Sequence, residues 1–157
     1  MLQNYSHLFP DFPDNSKVWM YFSDCTLDDN QVVYAKEKIV NFTENNWASH
    51  GEKIFASASI QINSIIIIVA DENKQNASGC SIDSSVHIIK ELGKEFNVDF
   101  FNRLYVFITD GNEQKRIHMS DLKSYEGWEI FDPMISNLGE LRSKWLKPVS
   151  AHPLFSI

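Results

Sequence analysis

Ser78-Gly79-Cys80-Ser81 is the densest group of hydrogen-bonding and reactive side chains in the chain, and it lies between an apolar run and an amphipathic one. Free backbone amides, hydroxyls and a helix start in that order suit a small anion such as a phosphate or carboxylate. Cys80 is also a candidate nucleophile, because a helix N-terminus favours the thiolate. His50 would then serve as its base, and the amides of Ser78 and Ser81 would stabilise an oxyanion. The plainer account makes Ser81 a helix cap, Gly79 a turn and Cys80 a small half-buried side chain. Asp83, in the first helical turn, already complements the dipole. Asp71-Glu72 could form an acid/base pair or a magnesium site, but solvated loop carboxylates are the simpler account. Asp24, Cys25, His50, Asp71 and Cys80 are metal-binding types, yet the chain has no CxxC, HxxxH or HExxH. Neither a metal nor a cofactor is expected.

The elements that must carry these residues follow from periodicity. Lys17 to Ser23 reads as a strand. Val32, Ala35, Ile39 and Phe42 recur at helical spacing, so a helix is expected over 29–46, and Asp28 with Gln31 forms its capping box. Residues 48–51 end it. Residues 53–62 alternate as a strand with one face buried. Ile65 to Ala70 is apolar throughout, as a central strand should be. A loop over 71–79 leads to a helix over 81–96, striped by Ile82, Val86, Ile89, Leu92 and Phe96. Strands are expected at 104–109 and 115–119 around an Asp110-Gly111 turn. A short helix is expected at 121–128, and residues 129–134 carry no clear pattern. A last helix spans 138–146, with Asn137 and Glu140 as its capping box and Pro148 beyond its end. Residues 1–15 form an irregular arm held by Phe9 and Phe12, and residues 148–157 form an apolar tail that needs a groove.

This order predicts an α+β fold. The expected form is a ferredoxin-like βαββαβ sheet with two helices on one face, plus an extra C-terminal strand and helix. Crossover handedness then places the first and third strands side by side and parallel in the centre. One edge would collect Asp24, Cys25, His50, Asp71, Glu72, Ser78, Cys80, Arg103 and, through the last hairpin, His118. Both main helices would start there. A Cys25–Cys80 disulfide is geometrically open in that topology, although a reducing cytosol disfavours it.

The chain has 157 residues, 43% of them hydrophobic, which suits a single domain over 1–157 with one core. Its net charge of -7 argues against nucleic acid or an anionic membrane as main partner. Two cysteines are too few for a disulfide framework. The first residues lack the pattern of a secretory signal, and the isoleucine run is too short to span a bilayer. A soluble cytoplasmic protein is expected.

The segments NNWASHG, ASGCSIDSSVHIIKELG and FNRLYV resemble a bacterial family of short uncharacterised proteins, some of them labelled "ABC transporter ATPase". The likeness runs over most of the chain. That label implies ATP hydrolysis on a P-loop, but Gly79 is followed by Cys80 and Ser81, and no GxxxxGK[ST] is present. A P-loop ATPase is therefore not expected. The leading expectation is a non-enzymatic domain that binds a small anionic ligand or a protein partner where the third strand meets the second helix. Ser78, Gly79, Cys80, Ser81, Asp71, Asp24 and Arg103 would line that site. The alternatives are a thiol-dependent enzyme using Cys80 and His50, and a structural homo-oligomer joined through a sheet edge.

Overall fold

Ile65 to Ala70 is buried without interruption because its strand is the middle one of three and has a layer on each face. The computed structural model describes residues 5–73 and 75–156. In chain order the elements are β1 (Lys17–Phe22), α1 (Asp29–Asn41), a π-helical turn (Phe42–Asn46), β2 (Ala48–Ser49), β3 (Glu52–Lys53), β4 (Phe55–Gln61), β5 (Ile65–Asp71) and α2 (Gly79–Phe96). Then come β6 (Tyr105–Thr109), β7 (Gln114–His118), a 3-10 helix (Met119–Tyr125), β8 (Glu129–Phe131), α3 (Leu138–Lys144), β9 (Leu146–Pro148) and two 3-10 turns. Among the described residues no helix is long and apolar enough to cross a membrane.

The first sheet has the order β1-β5-β4, with both pairings antiparallel. Alternation along β5 then sorts its side chains. Ile66, Ile68 and Ala70 pack with Ala35 and Ile39 of α1 and Ile89 and Leu92 of α2. Ile65, Ile67 and Val69 pack with Phe107 and Phe131 of the second sheet, Leu138 and Leu141 of α3, and Tyr5, Leu8 and Phe12 of the arm. The second sheet, β7-β6-β8-β9, buries Val106, Ile108 and Ile130 on its other face beneath Leu122, Val149, Leu154 and Phe155. The C-terminal tail thus finds its groove on its own chain. Ile157 and the first four residues of the arm lie outside the described residues.

The molecule is α+β with two helices on one face of a sheet, but the ferredoxin-like sheet does not form. The first and third predicted strands are neighbours, as expected, but they run antiparallel: Lys17 pairs with Ala70 and Phe22 with Ile65. The fourth, β6, joins a second sheet instead of pairing with β1. The cause is local. After α1 the chain makes the small β2–β3 hairpin, so β4 enters the sheet beside the start of β1 and runs parallel to it, with β5 inserted between them.

Local signals fared better. Asp28 and Gln31 form the capping box of α1, and the Asn137 side chain caps α3 at Glu140. The expected short helix is the 3-10 segment, and the unpatterned stretch after it contains β8. The α2 cap is Ser78, whose Oγ accepts the Ser81 amide at 3.2 Å, and not Ser81 itself.

The far end of α2 is closed by Asn97 in the left-handed region (φ 56), and the Val98 amide returns to the Gly93 carbonyl at 2.9 Å. A Cβ on Gly93 would stand 2.7 Å from the Val98 carbonyl oxygen, a backbone atom that cannot swing away. Gly93→Ala should therefore cost about 1–3 kcal/mol, read as a lower urea midpoint. An unchanged midpoint would mean the α2 terminus relaxes freely.

Candidate functional site

The antiparallel register splits the expected site in two. Asp71, Glu72, Ser78, Gly79, Cys80, Ser81 and His50 lie at the end of the sheet where β5 finishes. Asp24 and Cys25 follow the other end, where β1 finishes beside the start of β5. The seven residues of β5 put roughly 20 Å between the two groups. For the same reason α1 and α2 start at opposite ends, so no shared pair of helix dipoles exists. A Cys25–Cys80 bond is out of reach, since it needs Cα atoms within about 7 Å; both thiols are free and exposed.

At the β5 end the serine hydroxyls are already used. Ser78 Oγ and Ser81 Oγ bond each other at 2.8 Å, and the Ser81 hydroxyl donates to the Ala48 carbonyl at 2.7 Å. Trp47 Nε1 donates to the Ser81 carbonyl at 2.7 Å, which clamps the helix start onto the β2 strand. The Glu72 carboxylate accepts the Ala77 amide at 2.7 Å, so a carboxylate of the chain itself sits at the approach to the helix. Asp71 accepts two hydrogen bonds from Asn73. No atom lies within 4 Å of a Cβ placed on Gly79, so no close backbone approach demands glycine there.

A shallow hollow of about 430 Å³ is lined by Ser49, His50, Glu72, Gln75 and Ser78 among others, but not by Cys80. His50 and Gly51, both at positive φ (53 and 80), form the turn between β2 and β3. Among the described residues no hydrogen bond joins His50 to Cys80. The Ser49 hydroxyl is buried and has no hydrogen-bond partner among the described residues.

At the β1 end Asp24 is structural. Its amide donates to the Asp99 carbonyl and its carboxylate accepts the Asp99 amide, each at 3.0 Å. Arg103 is exposed and has no ion pair among the described residues. It stands on the rim of an apolar groove of about 270 Å³ that runs along β1, bounded by Phe100, Phe101, Tyr105, Met134 and Leu154. Burial raises the Tyr21 hydroxyl above its ordinary value in this wall, while the Ser85 hydroxyl and the Arg103 charge pull the other way. His118 stands edge-on to Tyr105, across β6 and β7, and caps the following 3-10 helix. Met134, one of the exposed large apolar side chains, lines the groove. Sequence reasoning singled out Arg103 but missed this groove, because its walls come from two sheets whose contact no local pattern encodes.

A third polar group also escaped sequence reasoning. Asp132 and His152 are buried together, with Nε2 of His152 at 2.8 Å from the carboxylate and Lys147 on its other oxygen. Burial pushes the Asp132 carboxyl up, but the hydrogen bonds from Lys147, His152 and the Met134 amide outweigh it and hold it below the usual carboxylate range. Nδ1 of His152 accepts the Leu154 amide at 3.2 Å. With both ring nitrogens engaged, this Asp–His pair has none left to activate a nucleophile. It ties the tail to β8. The signal in the sequence was a lone acid directly after the buried Ile130-Phe131.

Among the described residues no group of three or more His, Cys, Asp or Glu side chains could hold a metal ion. Comparison with models of protein families, with curated proteins and with solved structures gives no match.

Proposed function

We propose that this protein is a non-enzymatic binding domain whose binding face is the groove along β1, and that it takes a ligand or partner with an apolar body and a negatively charged end. The observation that carries this reading is an apolar groove with an unpaired guanidinium, Arg103, on its rim. An apolar cleft with one well-placed charge is the usual form of a binding site. At the helix α2 start, by contrast, the hydroxyls bond each other and Glu72 repels an anion, so the anionic end belongs at Arg103. Cys80 lies outside the hollow that holds His50, which leaves the thiol without its base. No ATP hydrolysis is assigned, because the Gly79 loop lacks the P-loop lysine.

Decanoate, an alkyl chain with one carboxylate, is a direct probe. Titrated into labelled protein, it should give saturable amide shifts at Phe22, Phe101 and Tyr105, and Arg103→Glu should weaken it about tenfold. Shifts confined to Ser78–Ser81 would return the site to the helix start. Absence of saturable shifts anywhere would end the reading.

A further inference from the structure

Resting on the groove as the binding face, we propose that its occupant is an extended segment of another protein, added as a strand to the outer edge of β1 with an acidic side chain on Arg103. The hydrogen-bond register of β1 carries this. The Ser23 amide donates to the Ser64 carbonyl at 2.8 Å, so the odd-numbered residues of β1 turn their backbone groups toward β5. The even-numbered ones therefore face outward. Two of these are taken: the Val18 amide donates to the Ser136 carbonyl and the Asp24 amide to the Asp99 carbonyl, both at 3.0 Å. Between them, the outward N–H and C=O groups of Met20 and Phe22 meet no partner among the described residues. Met20, Tyr21 and Phe22 line the groove at that stretch.

Two N–H and two C=O groups spaced by a dipeptide repeat, roughly 7 Å apart, match a second backbone. An alkyl chain would satisfy none of them. The stop at each end sets the length: Val18 to Asp24 leaves about five residues of edge, or roughly 17 Å. A strand laid there would send alternate side chains onto Phe101, Tyr105 and Met134 and the others outward, the usual division of labour in strand addition. It would also occupy the side of β1 where the chain's own β6 is missing. Arg103 supplies the charge complementarity, as an unpaired cation on a chain of net charge -7.

A second copy of this chain fits less well. The edge lies between the 99–103 and 133–136 segments, and another molecule's β1 would be recessed in the same way. Two recessed edges meet less readily than one such edge and a free extended segment.

The test uses the full chain and short peptides alternating valine and threonine with one glutamate, alongside the same peptides N-methylated at every second residue. The unmethylated set should slow hydrogen exchange of the Met20 and Phe22 amides by about tenfold. Methylation should abolish this. Arg103→Glu should weaken the glutamate peptides about tenfold and favour a lysine version. If decanoate binds the groove but the peptides leave Met20 and Phe22 unprotected, the strand proposal falls and the groove reading stands. Equal binding of methylated and unmethylated peptides also overturns strand addition. Protection without peptide that rises with protein concentration, with a dimer in sedimentation, would assign the edge to a second copy. If neither probe binds, both readings fall.

Discussion

Arg142→Met should lower the unfolding free energy by about 2–4 kcal/mol and release the N-terminal arm. Among the described residues the arm has turns but no ladder of its own. One guanidinium holds three of its carbonyls: Nε donates to the Leu8 carbonyl at 3.1 Å, and Nη2 to the carbonyls of Phe9 and Phe12 at 2.5 and 2.9 Å. Nη1 adds the Asp14 carboxylate at 2.7 Å. Hydrogen bonds from a charged donor are the strong ones, and the fixed fork of arginine reaches all four acceptors at once. Lysine cannot, so Arg142→Lys should rescue little. Asp14→Asn should cost under about 1 kcal/mol, since the Asp14 side chain is 75% exposed and its pair is a surface one. Urea unfolding gives the energies, and chymotrypsin reads the arm through Tyr5, Phe9 and Phe12. An unchanged midpoint with the arm still protected would show that Tyr5, Leu8 and Phe12 hold it by packing alone.

That clasp marks the boundary of what the sequence could tell. Features set by neighbouring residues were legible: the Asp28 and Asn137 caps, the stripe of α2, and the double-sided burial of Ile65 to Ala70. Strand direction was not. Periodicity shows that Lys17–Phe22 and Ile65–Asp71 are strands, but the same pattern serves parallel and antiparallel neighbours. The deciding feature was the hairpin at Ala48–Lys53, four paired residues too short to register as strands. Reversing one direction moved Asp24 and Arg103 away from Asp71 and Cys80, so the predicted site dissolved although most of its elements were correctly placed. Arg142, Asp132 and His152 act across 128 to 134, 15 and 20 residues, separations at which a single sequence carries no pairing signal.

The second large effect is expected at Asp132. Asp132→Ala should cost about 1–3 kcal/mol near neutral pH, because it leaves the buried His152 Nε2–H without an acceptor. Lys147, a third exposed, can turn to water and should add little. The isosteric Asp132→Asn keeps the shape and isolates the charge. Because the folded carboxyl is held below its ordinary value, its contribution is present above the unfolded pKa of about 3.9. It is lost as pH falls through the lower folded value. The gap between wild type and Asp132→Asn should therefore be widest near neutrality and close in acid, read from urea midpoints across that range. A gap constant with pH would mean the carboxylate charge contributes nothing. The consequence reaches the groove, because His152 holds the Leu154 amide and Leu154 forms part of the groove wall. A variant that loosens this clasp should weaken decanoate without touching Arg103, which separates the shape of the site from its charge.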